Sequence, residues 1–198
     1  MNIYFLLFDD YETLDLMGPV EFLFRIPNVQ LHYISMKGGL IKSRQGFFIQ
    51  TASISDLPER SVLVVPGGQG TRELVKDELF LAWLNQLVKS AQYCLAICTG
   101  SALLAATLQL THKLATSNKL AFEWVRQVNS DVRWKTVARW VRDDKFYTSS
   151  GISAGMDMTL GFIRDHYGEE LARKIANQTE YVWNDDPEKD EFAPLYGY

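Results

Sequence analysis

The sequence predicts an α/β fold in which a mostly parallel central sheet is sandwiched between helices. Short apolar runs of strand length alternate along the chain with longer stretches of helical periodicity. Three of these runs, at residues 3–8, 62–65 and 93–97, are almost continuously apolar, which is typical of strands buried on both faces of a parallel sheet. Strands that alternate with helices also favour parallel crossover connections.

The composition indicates one globular domain that spans residues 1–198. The chain is 47% hydrophobic and 22% charged, which is ordinary for such a domain, and its length suffices for a full core without disulfides. The net charge of −4 and the scattered distribution of the 20 lysines and arginines argue against a nucleic-acid partner, because phosphate binding needs a basic face. We expect the ligand to be a small-molecule substrate.

The two cysteines indicate a reducing environment. Cys94 and Cys98 lie four positions apart, a spacing that matches neither a disulfide framework nor a CxxC metal motif. The apolar N-terminal run lacks a preceding basic region and is too short for a signal peptide or a membrane span. We therefore expect a cytoplasmic protein with no membrane contact, no metal and no other cofactor.

The first half of the chain carries clear turn signals between its predicted elements. In chain order, we predict strands at residues 3–8, 29–35 and 62–65, a hairpin within residues 37–52, and helices over residues 14–26 and 79–88. Gly18-Pro19 is expected to interrupt or restart the first helix. The third strand ends in Pro66-Gly67-Gly68-Gln69-Gly70, which predicts a tight loop at its carboxyl end.

The second half continues the alternation and ends in an acidic tail. In chain order, we predict a strand at residues 93–97, helices at 101–108 and 120–128, strands at 133–141 and 145–149, and closing helices at 154–166 and 169–179. Asp143-Asp144 is expected to form the turn between the last two strands. The tail, residues 183–198, is predicted to be irregular, with aromatic side chains suited to docking on the domain or on a partner subunit.

Cys98 lies at a predicted corner between a buried strand and a helix. The run Tyr93-Cys94-Leu95-Ala96-Ile97 ends at Cys98, and Thr99-Gly100-Ser101 then begins a stretch of small helical residues. Such a corner exposes a nucleophile and aims it along the positive end of a helix. A helix N-terminus lowers a thiol pKa from about 8.5 to roughly 3.5–7.5, so we expect a reactive thiol. The alternative is a buried structural cysteine.

Other candidate site residues follow the same edge of the sheet, where parallel α/β folds bind their ligands. Gly67 and Gly68 have no Cβ, so their N–H groups can approach a reacting atom and form an anion hole with the Thr99 N–H; one such donor contributes about 3–4 kcal/mol in well-measured cases. Asp15 and Glu21 are candidates for proton transfer. The alternatives are a helix cap for Asp15 and a solvated helix face for Glu21.

Five blocks of the sequence resemble the ThiJ/PfpI superfamily over nearly the whole chain. The blocks are Leu14-Asp15-Leu16-Met17-Gly18-Pro19, Val64-Val65-Pro66-Gly67-Gly68, Ile97-Cys98-Thr99-Gly100-Ser101, Leu114-Ala115-Thr116-Ser117 and Thr148-Ser149-Ser150-Gly151-Ile152-Ser153-Ala154-Gly155-Met156-Asp157. The resemblance implies a class I glutamine amidotransferase-like, flavodoxin-like fold with a nucleophile elbow. The first and third blocks look most like isocyanide hydratase, and the same blocks occur in the ligand-sensing domains of certain AraC-type regulators.

The resemblance also implies roles for individual residues. Cys98 falls at the elbow cysteine, and Asp15 falls where isocyanide hydratase has its catalytic aspartate. Gly68 and Thr99 fall at the backbone donors, and the Thr99 hydroxyl is placed to touch the substrate. Members of the superfamily often form dimers that flank the active site, so we expect a homodimer.

The chain lacks a histidine that many members of the superfamily have, and this difference bears on the reaction mechanism. Many members have a histidine after the elbow helix, whereas this chain has Ala115-Thr116-Ser117-Asn118 there. Asn118 is a candidate for a hydrogen-bonding group in the pocket, and the alternative is a helix cap. A Cys-His protease or amidase mechanism is therefore disfavoured. The resemblance to isocyanide hydratase implies cysteine-dependent hydration of an isocyanide to a formamide, through Cys98 and Asp15. The alternatives are glyoxalase-like hydration of a reactive aldehyde and a non-enzymatic thiol sensor that acts through a protein partner.

Overall fold

Ten strands, seven α-helices and a final 3-10 turn form the fold, which a computed structural model describes for residues 1–198. The strands are β1 (Asn2–Leu6), β2 (Gln30–Ile34), β3 (Gly39–Lys42), β4 (Phe48–Thr51), β5 (Ser61–Val65), β6 (Tyr93–Ala96), β7 (Leu114–Ala115), β8 (Arg133–Trp134), β9 (Trp140–Asp143) and β10 (Phe146–Ser149). The helices are α1 (Thr13–Leu23), α2 (Thr71–Leu74), α3 (Glu78–Ser90), α4 (Gly100–Ala106), α5 (Phe122–Val128), α6 (Ser153–Tyr167) and α7 (Glu169–Gln178), and the 3-10 turn is Ala193–Tyr196.

Six strands form the central sheet in the order β2-β1-β5-β6-β10-β9. The first five are parallel to one another, and the edge strand β9 runs antiparallel to β10. Helices α1, α6 and α7 pack in one group, and α4 contacts α2, α3 and α5 in another. The predicted mostly parallel sheet flanked by helices is confirmed. All five residues of β5 are buried because the strand lies between β1 and β6, which explains its apolar sequence.

The strand order reverses at β1, since the chain places β2 on one side of it and β5 on the other. In open α/β sheets, ligands bind beyond the carboxyl ends of the strands at such a reversal. Helix α1 follows β1, the Gly67-Gly68 loop follows β5, and Cys98 follows β6. The topology therefore brings the three predicted site segments to one edge of the sheet.

Helix α1 continues through Gly18-Pro19, where an interruption was predicted. The ordinary backbone cost of proline inside a helix is offset by burial, because Pro19 and Gly18 both face the interior. A Cβ on Gly18 would lie 2.6 Å from Cγ of Met156 in α6. The glycine therefore permits close packing of two helices, which the sequence pattern alone does not distinguish from a helix break.

Residues 133–141 do not form the single strand that was predicted. Residues 133–134 form β8, which pairs with β7 in a separate two-stranded sheet, and β9 begins at residue 140. Between the two strands, Arg139 turns inward and pairs with the buried carboxylate of Asp157 at 2.6 Å. The chain changes sheets at this point, and the ion pair lies in the segment between the two strands. The predicted hairpin within residues 37–52 is present as β3 and β4.

The C-terminal segment is irregular, as predicted, but a buried charge holds it on the domain. Asp190 has a fully buried side chain, and its carboxylate lies 3.5 Å from Nζ of Lys119 and 3.8 Å from Arg139. Burial lowers the pKa of Lys119 to about 8, and the nearby Asp190 carboxylate opposes that change. The tail is therefore anchored to the loop that follows β7. No helix of the chain has both the length and the apolar character that a membrane crossing requires.

Asp190→Ala is expected to lower the free energy of unfolding by about 3 kcal/mol, because Lys119 loses its buried counter-charge. The matched control is Glu191→Ala, whose carboxylate is exposed and whose removal should change stability by less than about 0.5 kcal/mol. Urea titration of both variants measures the difference. Equal losses in the two variants would show that the anchor does not stabilise the fold.

Candidate active site

Cys98 lies at a strained corner between β6 and α4. Its φ of +55° is in the left-handed region, a conformation that costs a non-glycine residue roughly 1–3 kcal/mol and persists where the surroundings enforce it. The hydroxyls of Ser101 and Ser117 both donate to the Cys98 carbonyl, at 3.0 and 2.9 Å. A Cβ at Gly100 would collide with the Val65 carbonyl. These contacts explain the Cys-Thr-Gly-Ser sequence at the corner.

The Cys98 side chain is only 7% exposed and lies against the Asp15 carboxyl. Burial raises the pKa of the Cys98 thiol, and the Asp15 charge raises it further, while hydrogen bonds from the N–H groups of Thr99 and Ile152 oppose the increase. The expected low thiol pKa is therefore wrong for the resting site. Helix α4 has only seven residues, and its favourable field is weaker than the loss of hydration.

Asp15 is fully buried in the first turn of α1. Its Oδ2 accepts the Gly67 N–H at 2.9 Å, whereas its Oδ1 has no hydrogen-bond partner. Burial raises the pKa of Asp15 to about 7, and the charge of Glu12 adds to that increase, while the contacts with Gly67 and Cys98 oppose it. A carboxyl with this pKa exchanges its proton near neutral pH and is suited to general acid-base chemistry.

The two loop glycines, Gly67 and Gly68, allow the backbone around the site to pack closely. A Cβ on Gly67 would lie 2.6 Å from the Thr99 nitrogen and 2.9 Å from Asp15 Oδ2, so no larger residue fits between these groups. Gly68, with φ of +129°, donates its N–H to the Thr99 hydroxyl at 3.0 Å. Both glycine N–H groups therefore have partners within the protein. The backbone N–H groups that lie near the Cys98 sulfur are instead those of Thr99 and Ile152.

Ile152 was missed by the sequence reasoning, although it lies at the carboxyl end of β10, a fourth strand end at the same edge. Its φ of +38° is unusual for a β-branched residue. This conformation turns its N–H toward the Cys98 sulfur. Its place in the Gly-Ile-Ser segment directly after a buried strand was the signal that could have identified it.

Glu21 does not reach the site, and its prediction as a site residue is corrected. The residue is exposed and pairs with Arg25 of the following turn at 2.7 Å. Six positions along a helix correspond to about 600° of rotation, which places Glu21 on a different face from Asp15. Asn118, by contrast, lies beside Cys98, although its Oδ1 also accepts the Ala121 N–H at 3.1 Å as a local cap.

A cavity of about 200 Å³ opens onto the sulfur. It is lined by Glu12, Arg44, Gly68, Gln69, Arg72, Cys98, Thr99, Asn118, Leu120, Ala121 and Ile152. None of the three histidines is among these residues. The sequence reasoning missed the charged residues of this wall because they come from three separate segments. The chain has no cluster of three or more His, Cys, Asp or Glu side chains arranged to hold a metal ion.

Comparison with known proteins identifies the family of this chain. The family model of the DJ-1/PfpI family matches residues 1–165. The chain belongs to the DJ-1/PfpI family. The resemblance to the ThiJ/PfpI superfamily read from the five sequence blocks is thereby confirmed, and with it the flavodoxin-like fold.

Three proteins that are similar to this chain have different described roles. The isonitrile hydratase of Pseudomonas putida is 33% identical over 183 residues, which cover 92% of this chain and 79% of that protein. The HTH-type transcriptional regulator GbdR of Pseudomonas aeruginosa is 28% identical over 91% of this chain, which spans half of the regulator. A solved ThiJ/PfpI family protein from Pseudomonas syringae superposes with a TM-score of 0.81 at 25% identity, covering 94% of this chain and 76% of that one.

Asp15→Asn is expected to raise the free energy of unfolding at pH 8, because the wild-type protein must bury a carboxylate there. The folded pKa of Asp15, about 7, lies above its usual value of 3.8, so the folded state favours the protonated form. The advantage of the variant is full above pH 7, on the order of 2–4 kcal/mol, and declines as the pH falls toward 4. Denaturant titrations of both proteins from pH 4 to pH 8 measure this; a pH-independent difference would contradict the assignment.

Proposed function

We propose that this DJ-1/PfpI protein is a cysteine-dependent hydratase that converts an isocyanide into an N-substituted formamide. The observation that carries the proposal is the buried contact between the Cys98 thiol and the Asp15 carboxyl, which sets a proton-carrying group behind the nucleophile that lines the cavity. The homology to an isonitrile hydratase over most of the chain supports the same class of reaction.

In the first half of the proposed reaction, Cys98 adds to the terminal carbon of the isocyanide. The thiol proton passes to Asp15 as the C–S bond forms, and Asp15 then delivers it to the same carbon. The product is a thioimidate, in which the nitrogen keeps its organic substituent. The N–H groups of Thr99 and Ile152 hold the sulfur during this step and stabilise negative charge on it. The raised pKa of the thiol is not an obstacle, because the proton moves only as sulfur attacks.

In the second half, water adds to the thioimidate carbon. Asp15 accepts a proton from the water and transfers it to the nitrogen, which gives a tetrahedral intermediate. The C–S bond then breaks as the hydroxyl becomes a carbonyl, and its proton returns to sulfur through Asp15. The sum is the addition of one water, with the thiol and the carboxyl restored. An Asp15 pKa of about 7 suits both directions of transfer.

The cavity favours this chemistry over acyl transfer by a Cys-His pair. His32 lies in β2, His166 in α6, and His112 is exposed, so none lines the cavity at Cys98. An amidase needs a group that takes the thiol proton and then donates a proton to the leaving amine. Hydration of an isocyanide releases no amine, and a single carboxyl suffices.

Purified protein incubated with cyclohexyl isocyanide is expected to form N-cyclohexylformamide, measured by gas chromatography. Cys98→Ala should remove this activity, because no other thiol lies in the cavity. Cys94→Ala is the matched control and should retain it, since Cys94 is fully buried within β6. Formamide production that survives Cys98→Ala would overturn the role of the thiol. Turnover of methylglyoxal to lactate without any isocyanide hydration would favour the aldehyde hydratase alternative instead.

Asp15→Asn is expected to lower kcat/KM for the isocyanide by about 10²–10⁴-fold, because the amide cannot carry the proton. Glu21→Gln is the matched control. It removes a carboxylate from the same helix, six positions away on an exposed face, and should leave the rate unchanged. If both variants keep wild-type rates, another group moves the proton and the assignment of Asp15 is wrong.

A further inference from the structure

Arg72 of α2 is a charged residue in the wall of the Cys98 cavity for which the proposed hydration has no role. Its guanidinium lies 3.5 Å above the ring of Trp124 in α5. Stacking of this kind restricts the planar group to one orientation. The residue is half-buried, so burial lowers its pKa, while the nearby Cys98 opposes that change. Arg72 is therefore a fixed cation close to the reacting sulfur.

The guanidinium of Arg72 has no ion-pair partner, unlike the other arginines that are withdrawn from solvent. Arg25 pairs with Glu21, Arg139 with Asp157, and Arg164 with Asp165. Arg72 forms no salt bridge, and its side chain donates no hydrogen bond within the chain. The remaining arginines without ion pairs, Arg44, Arg60 and Arg133, are exposed to water. A half-buried guanidinium with five donors unused within the chain is available to bind a ligand in the cavity.

The surrounding charges leave the donors of Arg72 available. Glu12 is the carboxylate that lines the same cavity, but its Oε1 accepts a hydrogen bond from Gln45 at 2.5 Å, which holds it toward the β3–β4 hairpin. Arg44, on that hairpin, adds a second positive group to the wall. The cavity therefore carries two cations, Arg44 and Arg72, one carboxylate, Glu12, and the Cys98 thiol.

We propose that Arg72 binds a carboxylate carried by the substrate whose electrophilic carbon reaches Cys98. The planar guanidinium matches a carboxylate through two parallel hydrogen bonds, and Trp124 holds it in the orientation that this contact needs. The inference rests on the proposed function to the extent that Cys98 is the reacting group. It adds the substrate class, a small anionic isocyanide or related carboxylated electrophile, and makes Arg72 the residue that selects it.

The decisive experiment compares two alkylating reagents of nearly equal size, iodoacetate and iodoacetamide, of which the first is anionic and the second neutral. In both reactions the Cys98 sulfur displaces iodide and loses its proton. The rate at Cys98 is measured by peptide mass spectrometry, and the ratio of the two rates is referred to the ratio for N-acetylcysteine. We expect this normalised ratio to favour iodoacetate by about tenfold, which corresponds to about 1.4 kcal/mol.

Arg72→Gln should abolish the preference for iodoacetate while the iodoacetamide rate changes much less. Arg72→Lys should keep part of it, because the charge remains and the paired donors are lost. Arg126→Gln is the matched control, since Arg126 lies on α5 near Trp124 but is exposed and paired with Glu123. An unchanged ratio in Arg72→Gln would overturn the proposal. So would an equal fall in both rates, which would mean that Arg72 acts only on the thiol.

A second readout separates this inference from the proposed hydratase. With isocyanoacetate and its neutral methyl ester as substrates, Arg72→Gln should raise KM about tenfold for the anion and change the KM of the ester much less. If neither isocyanide is hydrated but the alkylation preference depends on Arg72, carboxylate binding stands and the hydratase is wrong. If the ester is hydrated, but Arg72→Gln changes neither the iodoacetate-to-iodoacetamide rate ratio nor the ratio of the two isocyanide KM values, the hydratase stands and carboxylate binding is wrong. A Cys98 that reacts with no reagent would overturn both.

Discussion

The buried contact between Asp15 and Cys98 is the interaction on which the architecture of the site depends. The two side chains come from the ends of β1 and β6, which are separated in the sheet by β5. They meet because Gly67, at the end of β5, has no Cβ to occupy the space between Asp15 and Thr99. The Gly67 N–H then fixes one oxygen of the carboxyl, and the other oxygen has no hydrogen-bond partner. A parallel strand order and one glycine thus place a carboxyl beside a thiol.

Burial gives this pair its chemical character. In water, an aspartate and a cysteine have pKa values near 3.9 and 8.5, so the acid is ionised at neutral pH and cannot donate a proton. Removal from solvent disfavours both anions and raises both pKa values. Both groups therefore favour their protonated forms in the folded protein more than they do in water. The N–H groups of Thr99 and Ile152 supply the compensating stabilisation when sulfur carries the charge.

Much of the fold followed from local sequence because apolar runs and turn residues report directly on secondary structure. Residues 62–65 are apolar in sequence and buried in the sheet, and the corner at Cys98 lies where the Cys-Thr-Gly-Ser run predicted it. The errors arose where tertiary packing overrides local preference. Gly18 looks like a helix break but accommodates Met156, and the strand predicted at residues 133–141 is divided where Arg139 turns inward to Asp157.

The sequence by itself determined the fold class, the family resemblance and the identity of the thiol, since each is encoded in contiguous residues. The residues alone left Asp15 and Glu21 both open as the acid near that thiol, because the two share a helix, and only the resemblance favoured Asp15. The sequence could not find Ile152 or Arg72, which approach Cys98 from β10 and α2. Only the tertiary structure decided these points, together with the raised pKa values. Distances between separate strand ends and the loss of water around a side chain are properties of packing, not of sequence order.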